Sequence, residues 1–370
     1  MTALKITVLR DEASLLALGP AWDALEARSL AAGHPAPLFA SHRYVRLAWQ
    51  HLREAADQLF VVTLGDAGRL HGVLPLVLRP ARALRMPIRE LSPIGSWEGE
   101  RPGLLCDGNA DTAWAAIWAG LVRERADWHV LALRELDDDV WPLRGLVQGD
   151  GGFSQRRRAD NNTHWQRLTG SWAAHESSRP VAARDSLARA RVELAARAPQ
   201  LRQRTVEDPE SIGAAFSDFL ALEATHTPGP ASAGLYLLGH DAARVAFYRA
   251  FLPEMAARGE AQIRLLMDGD NPIAALIRLR SGTVWIERHA AEHASLAAQA
   301  PAMSLLLGSL AQGWGEGMQA SDLLLLPDAS GRTEALGAWY DEVRPTSRLT
   351  VWNLRSRMAV CAAVDRLRGR

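Results

Sequence analysis

The apolar positions change period several times along the chain, and those changes mark its elements. ITVLR near the start predicts a short strand, and residues 20–31 place Trp22, Leu25 and Leu30 at the spacing of one helix face. A second helix opens at Ser41, a good N-cap, and carries Tyr44, Val45, Ala48, Trp49 and Leu52 on one side. LFVVTLGD and LHGVLPLVLRP, joined by a turn at 67–69, then read as a strand pair. Residues 88–108 read as a short strand and a long irregular loop. Asp111 is expected to cap a helix reaching Arg125, WHVLALREL is the next strand, and a short helix is expected around Trp141.

The same grammar restarts after Gly151 with a basic, loop-like stretch, FSQRRRADNNTHWQRL. Helices are expected after Pro180, from Pro209 to about 224, and from an Asp241 cap to about 258. AQIRLLMDG, NPIAALIRLRSG and TVWIERHA give three strands in succession. A helix over 301–315, the strand DLLLL, a helix over 332–340, the strand RLTVW and a terminal helix complete the pattern. Both halves therefore read as helices, a meander of strands, then helix, strand, helix. This predicts an α/β fold with mixed sheets, built as a duplication.

Composition supports that organisation. A chain of 370 residues exceeds what one core usually fills, so we expect two domains, 1–165 and 166–370. With 48% hydrophobic residues and 42 basic against 42 acidic side chains, disorder is excluded and no global positive field exists for nucleic acid. Lys5 is the only lysine, an arginine bias we read as codon usage. Cys106 and Cys361 show no disulfide or thiolate-metal spacing, the first 16 residues lack the apolar run of a secretory signal, and no apolar stretch could span a bilayer. A cytoplasmic location is the expectation.

The segment from Ala261 to Leu326 is the most informative for chemistry. A three-strand meander leads through a small-residue loop into a helix beginning at Pro301, where free N–H groups and about half a positive charge could hold a diphosphate. This order, with QAPAMS between strand 283–290 and helix 301–315, resembles the acetyl-CoA core of the GNAT acyltransferases. Over the whole chain, PLFASHRYVRLAW from Pro37, GVLPLVL from Gly72, LALREL from Leu131, LEATHTPG from Leu222 and GTVWIERHAAEHASLAAQAPAMSLL from Gly282 resemble tandem-domain GNAT proteins related to the CelD-type acetyltransferases of cellulose and exopolysaccharide synthesis. Two departures stand out: Ala300-Pro301-Ala302 replaces the usual Ser-Pro-Gly, and the Trp-Lys usual after LEATHTPG is missing.

The resemblance implies two GNAT-like domains in tandem, the first degenerate and the second binding acetyl-CoA or another acyl-CoA. It implies acyl transfer to an amine of a sugar, amino acid or envelope precursor, with a small-molecule or lipid- or sugar-linked acceptor, no metal and no nucleic-acid partner. A non-catalytic adaptor and an aminoacyl-tRNA-dependent transferase are the alternatives. The coenzyme site then falls on Ile286, Arg288, Gln299, Ala300, Ala302, Met303 and Ser304. Simple alternation would put Trp285, Glu287 and His289 on one face, with Glu287 as base, His289 second, and Tyr340 with Asp341 contributing from a later helix end. The competing reading of Glu287 is an ion pair with Arg278 or Arg280.

Other features carry less. His289, Glu292 and His293 fit an H-x-x-E-H zinc pattern, but that chemistry needs a helix and these residues follow a strand. Residues 156–204 hold 11 Arg and four acids, and 343–370 seven Arg and one acid; we read them as solvated faces, with peripheral contact to a membrane or a synthase complex left open. Cys106 reads as a buried apolar residue, and Trp97 as a candidate to line a cleft.

Overall fold

The computed structural model describes residues 4–32, 38–66, 68–95, 101, 103–137, 152–226, 237–324 and 336–354. Trp97, the helix expected around Trp141, the end of LEATHTPG, the start of the helix over 332–340, the terminal helix and Cys361 lie outside them. The first elements are β1 (Lys5–Leu9), α1 (Glu12–Ala17), α2 (Gly19–Ala31), α3 (His42–Leu52), β2 (Gln58–Gly65), β3 (Leu70–Ala83), β4 (Met86–Pro93), β5 (Leu105–Cys106), α4 (Ala110–Arg123), β6 (Val130–Asp137) and β7 (Phe153–Arg167). There follow α5 (Trp172–Ser178), α6 (Val181–Arg197), β8 (Leu201–Val206), α7 (Ile212–Ala224), α8 (Ala242–Ala256), β9 (Ala261–Asp268), β10 (Asn271–Ser281), β11 (Val284–Glu292), α9 (Pro301–Gly315), β12 (Ala320–Leu323) and β13 (Glu342–Asn353).

Contacts divide the chain into two units, Met1–Asn162 with Pro345–Arg370, and Thr163–Arg344. In the first, the strand order is β1-β2-β3-β4-β6-β13, with β5 added to β3. The meander β1 to β4 is antiparallel and β6 joins β4 in parallel, so the sheet is mixed. β13 pairs antiparallel with β6, Thr346 opposite Asp137 through Trp352 opposite Val130. Helix α4 lays Trp114, Ile117 and Leu121 on Phe60, Val62, Leu76 and Leu91, an apolar interior in which each large side chain contributes about 1.5–3 kcal/mol.

In the second unit the order is β7-β12-β11-β10-β9-β8. β8 to β11 form an antiparallel meander, and β12 joins β11 in parallel. Leu305, Leu306, Leu307 and Leu310 of α9 pack with Leu276 and Leu323, while Phe216, Phe219, Tyr248 and Phe251 of α7 and α8 are buried in the same unit. The mixed α/β fold expected from the pattern is present.

Local signals explain several boundaries. Ser41 caps α3 by accepting from Tyr44 N at 3.4 Å, and Asp241 caps α8 by accepting from Ala243 and Arg244 N. Two expectations need correction. Asn109, not Asp111, caps α4, its Oδ1 taking the Thr112 amide at 2.9 Å. The basic stretch after Gly151 is no loop but the 15-residue strand β7, whose end pairs with β12, His164 opposite Leu323 through Arg167 opposite Ala320. Its polar composition hides it, because partners distant in sequence satisfy its backbone.

Candidate functional site

The centre of the second unit is strand β11, and its geometry begins with an irregularity. Ile277 lies opposite His289 while the next residue, Arg278, lies opposite Glu287, so Arg288 is an extra residue in the ladder. Such a bulge reverses the alternation of side chains beyond it. Glu287 and His289, expected on one face, therefore point to opposite faces. Glu287 meets Ser309 of α9, and His289 meets Tyr248 of α8.

Glu287 has 0% exposure, as does Arg278, whose Nε donates to Glu287 Oε1 at 3.1 Å. The hydroxyls of Ser309 and Ser321 lie 3.4 and 3.3 Å from the same carboxylate, and the Arg278 guanidinium sits 4.2 Å above the Trp285 ring. Burial pushes the Glu287 carboxyl above its ordinary range, with Arg278 and Arg264 pulling it back. The competing sequence reading of Glu287, an ion pair with Arg278, is thus present. Arg264, also buried, donates its Nη2 to Gln203 Oε1 at 2.7 Å, while Nε and Nη1 have no hydrogen-bond partner among the described residues; burial and then Arg278 lower its pKa to about 10.

Tyr340 is buried close to this group, and burial first, the Glu287 charge second, hold its hydroxyl pKa well above the usual value. Asp341 turns away to the surface, where it accepts from Gln166 Nε2 at 2.8 Å and pairs with Arg179. On the opposite face His289 Nε2 and the Tyr248 hydroxyl share a 2.8 Å hydrogen bond, beside the ring of Phe219.

The residues expected to hold a coenzyme gather at the far end of β11. Its parallel ladder with β12 runs from Val284 opposite Ala320 to Glu287 opposite Leu323, and Leu324 N adds one bond to Glu287 O at 3.2 Å. Beyond that, residues 289–292 keep β10 as partner on one edge and have no ladder to β12 among the described residues. Ile286 thus lies inside the paired part, opposite Asp322, and Arg288 at its limit, its Nη1 donating to Leu324 O at 3.2 Å. An open edge on one side of a parallel pair can accept an extended, amide-bearing chain.

After β11 a 3₁₀ turn, Ala294–Gln299, leads to Ala300, held in the left-handed conformation at φ 43°, and then directly to α9. Met303 and Ser304 lie half-buried in the first turn, where Ser304 N closes onto Ala300 O at 3.1 Å. Pro301 has no N–H, so Ala302 carries the first amide of the helix, and that amide donates to Glu292 Oε2 at 3.2 Å. Gln299, 6% exposed, has an Oε1 with no hydrogen-bond partner among the described residues. The end of β11, with no further β12 ladder among the described residues, and the helix start suit a thioester donor carrying a diphosphate, but the leading amide for that diphosphate is already taken by the chain's own carboxylate.

Glu292 was missed in this role, since only the zinc pattern drew attention to it. That pattern lies on a strand end, with His289 bound to Tyr248, Glu292 to Ala302, and His293 Nδ1 to Ser295. Among the described residues no three His, Cys, Asp or Glu stand close enough to hold a metal. Arg264 and Arg278 could have been flagged as charges inside otherwise apolar strand runs. A cleft of about 480 Å³, lined by Glu207, Gln262, Arg280, Trp285 and Glu316 among others, opens at the start of β11 and so at the wrong end for this site. Cys106 is buried, and burial raises its pKa. No helix among the described residues is long and apolar enough to cross a membrane.

Residues 182–331 match the family model of the acetyltransferase (GNAT) domain. No curated protein matches the chain. Among solved structures it is similar to FemX, with a TM-score of 0.58 and 10% identity over 93% of this chain and 96% of that one. A conserved protein of unknown function from Bacteroides thetaiotaomicron gives 0.53 and 8% identity over 94% and 100%. The C-terminal domain of a protein named as a lysylphosphatidylglycerol synthetase, from Agrobacterium fabrum, gives 0.50 and 13% over 93% and 96%. The chain therefore shares its mixed α/β fold with these proteins along nearly its whole length, and its second unit carries the stretch that matches a GNAT acetyltransferase domain.

Proposed function

We propose that the second unit is an acyltransferase that moves an acyl group from an acyl-CoA to an amine of a sugar, amino acid or envelope or exopolysaccharide precursor. The observation that carries this reading is the end of β11 beside the start of α9, where residues 289–292 have no ladder to β12 among the described residues, inside the stretch that matches the GNAT domain. The bound thioester would supply an activated acyl carbon. On this reading residues 289–292 align the donor's amide arm, and Gln299, Ala300, Ala302, Met303 and Ser304 flank its phosphates. His289, held by Tyr248, accepts the proton of the incoming amine, because it stands near the end of β11, past the described ladder to β12. Glu287 keeps Arg278 in place and sets the field around Tyr340.

Acetyl-CoA should raise the melting temperature of the protein, by the equivalent of about 2.7 kcal/mol at 100 times Kd. His289→Gln should lower kcat by roughly 10² to 10⁴ with donor affinity unchanged. Absence of any stabilisation by acyl-CoAs would reject the reading. One observation favours a second, transfer from an aminoacyl-tRNA: Glu292 occupies the leading amide of α9, and such a donor need not place a diphosphate there. The zero net charge weighs against it.

A further inference from the structure

We propose that Glu292 is a donor-selecting residue: its carboxylate stands in for an anion at the start of α9, so a diphosphate-bearing donor binds only by displacing it. The inference rests on the acyl-CoA reading above and concerns its affinity. Three observations lead to it.

The first is the bond itself. Ala302 N is the leading donor of a 15-residue helix, and the positive end of that helix favours one negative group there. Glu292 Oε2 fills the place at 3.2 Å, and the residue is only 2% exposed. Two anions cannot share that amide, so the carboxylate and a phosphate compete for it.

The second is that Glu292 cannot leave with its backbone. It pairs with Ala274, its carbonyl accepts from His226 Nε2 at 2.9 Å, and the next residue, His293, donates its N–H to Ile273 O at 2.9 Å. Displacement must therefore come from rotation of the side chain alone, against a fixed strand end.

The third is Gln299, two residues before Pro301. Among the described residues its Oε1 is buried without a donor, a condition that native interiors avoid. It is an acceptor at the same loop that an N–H or O–H of a ligand could satisfy. An unmet acceptor in the turn that leads into the self-occupied anion position fits a donor that enters in exchange for the Glu292 carboxylate.

The experiment measures binding by calorimetry for the full chain and for Glu292→Gln and Glu292→Met, two uncharged side chains of similar reach, either of which suffices if the other fails to fold. Two probes are used, acetyl-CoA and S-acetylpantetheine, which lacks the diphosphate. Both variants should bind acetyl-CoA about tenfold more tightly than the parent, because the competing charge is gone, and S-acetylpantetheine with unchanged affinity. Equal acetyl-CoA affinity in parent and variants would overturn the role of Glu292 while leaving the acyl-CoA reading intact. Tighter binding of both probes alike would also overturn it, since the gain would not come from the diphosphate. If neither probe binds to any of the three proteins, the acyl-CoA reading falls and the inference with it.

Discussion

Helices α4 and α9 occupy the same point in two similar arrangements, a strand, a crossover helix and a parallel strand. β4 pairs with β6 through Glu90 opposite Val130 and Leu91 opposite Leu131, as β11 pairs with β12. Their beginnings differ. α4 is capped by Asn109, its immediate neighbour and uncharged, after a connection that lays β5 on β3. α9 receives a carboxylate from Glu292, ten residues back on the strand, across a short turn. The interiors differ as well. Under α4 lie Phe60, Val62, Leu76 and Leu91, whereas α9 covers Arg278 and Glu287. A buried ion pair is weak evidence for stability, because desolvation offsets its attraction. The first unit buries an ion pair too, Arg43 with Glu26 at 2.9 Å, but between α2 and α3; a charged pair beneath the crossover helix distinguishes the second unit among the described residues.

The largest test of this contrast is Arg278→Ala. It leaves Glu287 buried and unpaired, and should lower stability by about 3–5 kcal/mol in urea unfolding. In the first unit, Ile117→Val on the inner face of α4 should cost only about 0.5–1.5 kcal/mol. Equal losses from the two variants would mean that the two interiors are energetically alike.

Next comes the cap. Asn109→Ala should destabilise by about 1 kcal/mol, since it removes only a local hydrogen bond at the start of α4, and should leave acetyl-CoA binding unchanged. A loss of binding with this variant would undo the assignment of the donor to the second unit. Smaller still is Ala300→Gly. The left-handed conformation is costly for alanine and free for glycine, so this change should stabilise by roughly 0.5–1 kcal/mol after the added freedom of the unfolded chain is counted. A destabilised variant would show that the methyl group matters at the start of α9.

The smallest effect is on pH dependence, and it involves both units. Burial lowers the pKa of His129 in the first unit and of His175 in the second below the ordinary 6.5, with Arg89 and Arg179 respectively acting in the same direction. The unfolded chain then binds protons that the folded one refuses, so each contributes stability that is present above pH 6.5 and lost as pH falls toward the lowered folded value. His175 Nε2 also donates to Trp339 O at 3.0 Å, a bond that, with the Asp341 charge, opposes part of this lowering. His175→Gln should make the melting temperature less sensitive to pH between about 6.5 and 5. An unchanged slope would place the proton uptake elsewhere.

Much of the fold was legible because its signals are local. The span of α9, Pro301–Gly315, follows from a proline at its first position and a leucine stripe, and the caps Ser41 and Asp241 are read from residue type and position. The three strands β9 to β11 announce themselves as apolar runs between glycine turns. The Glu287–Arg278 pair was foreseeable as an alternative, because two charges stood in neighbouring apolar runs.

What only the tertiary structure decided has one physical origin, the dependence on partners far along the chain. β7 is a strand because β12 satisfies part of its backbone, and β13 takes its place beside β6, more than 200 residues earlier in sequence. The bulge at Arg288 is a single extra residue with no compositional mark, yet it alone moves His289 to the face opposite Glu287. The bond from Ala302 to Glu292 closes the same way, across a turn whose path no periodicity describes. Composition and period determined which segments form strands and helices; register, set by how those segments meet, decided which side chains share a site.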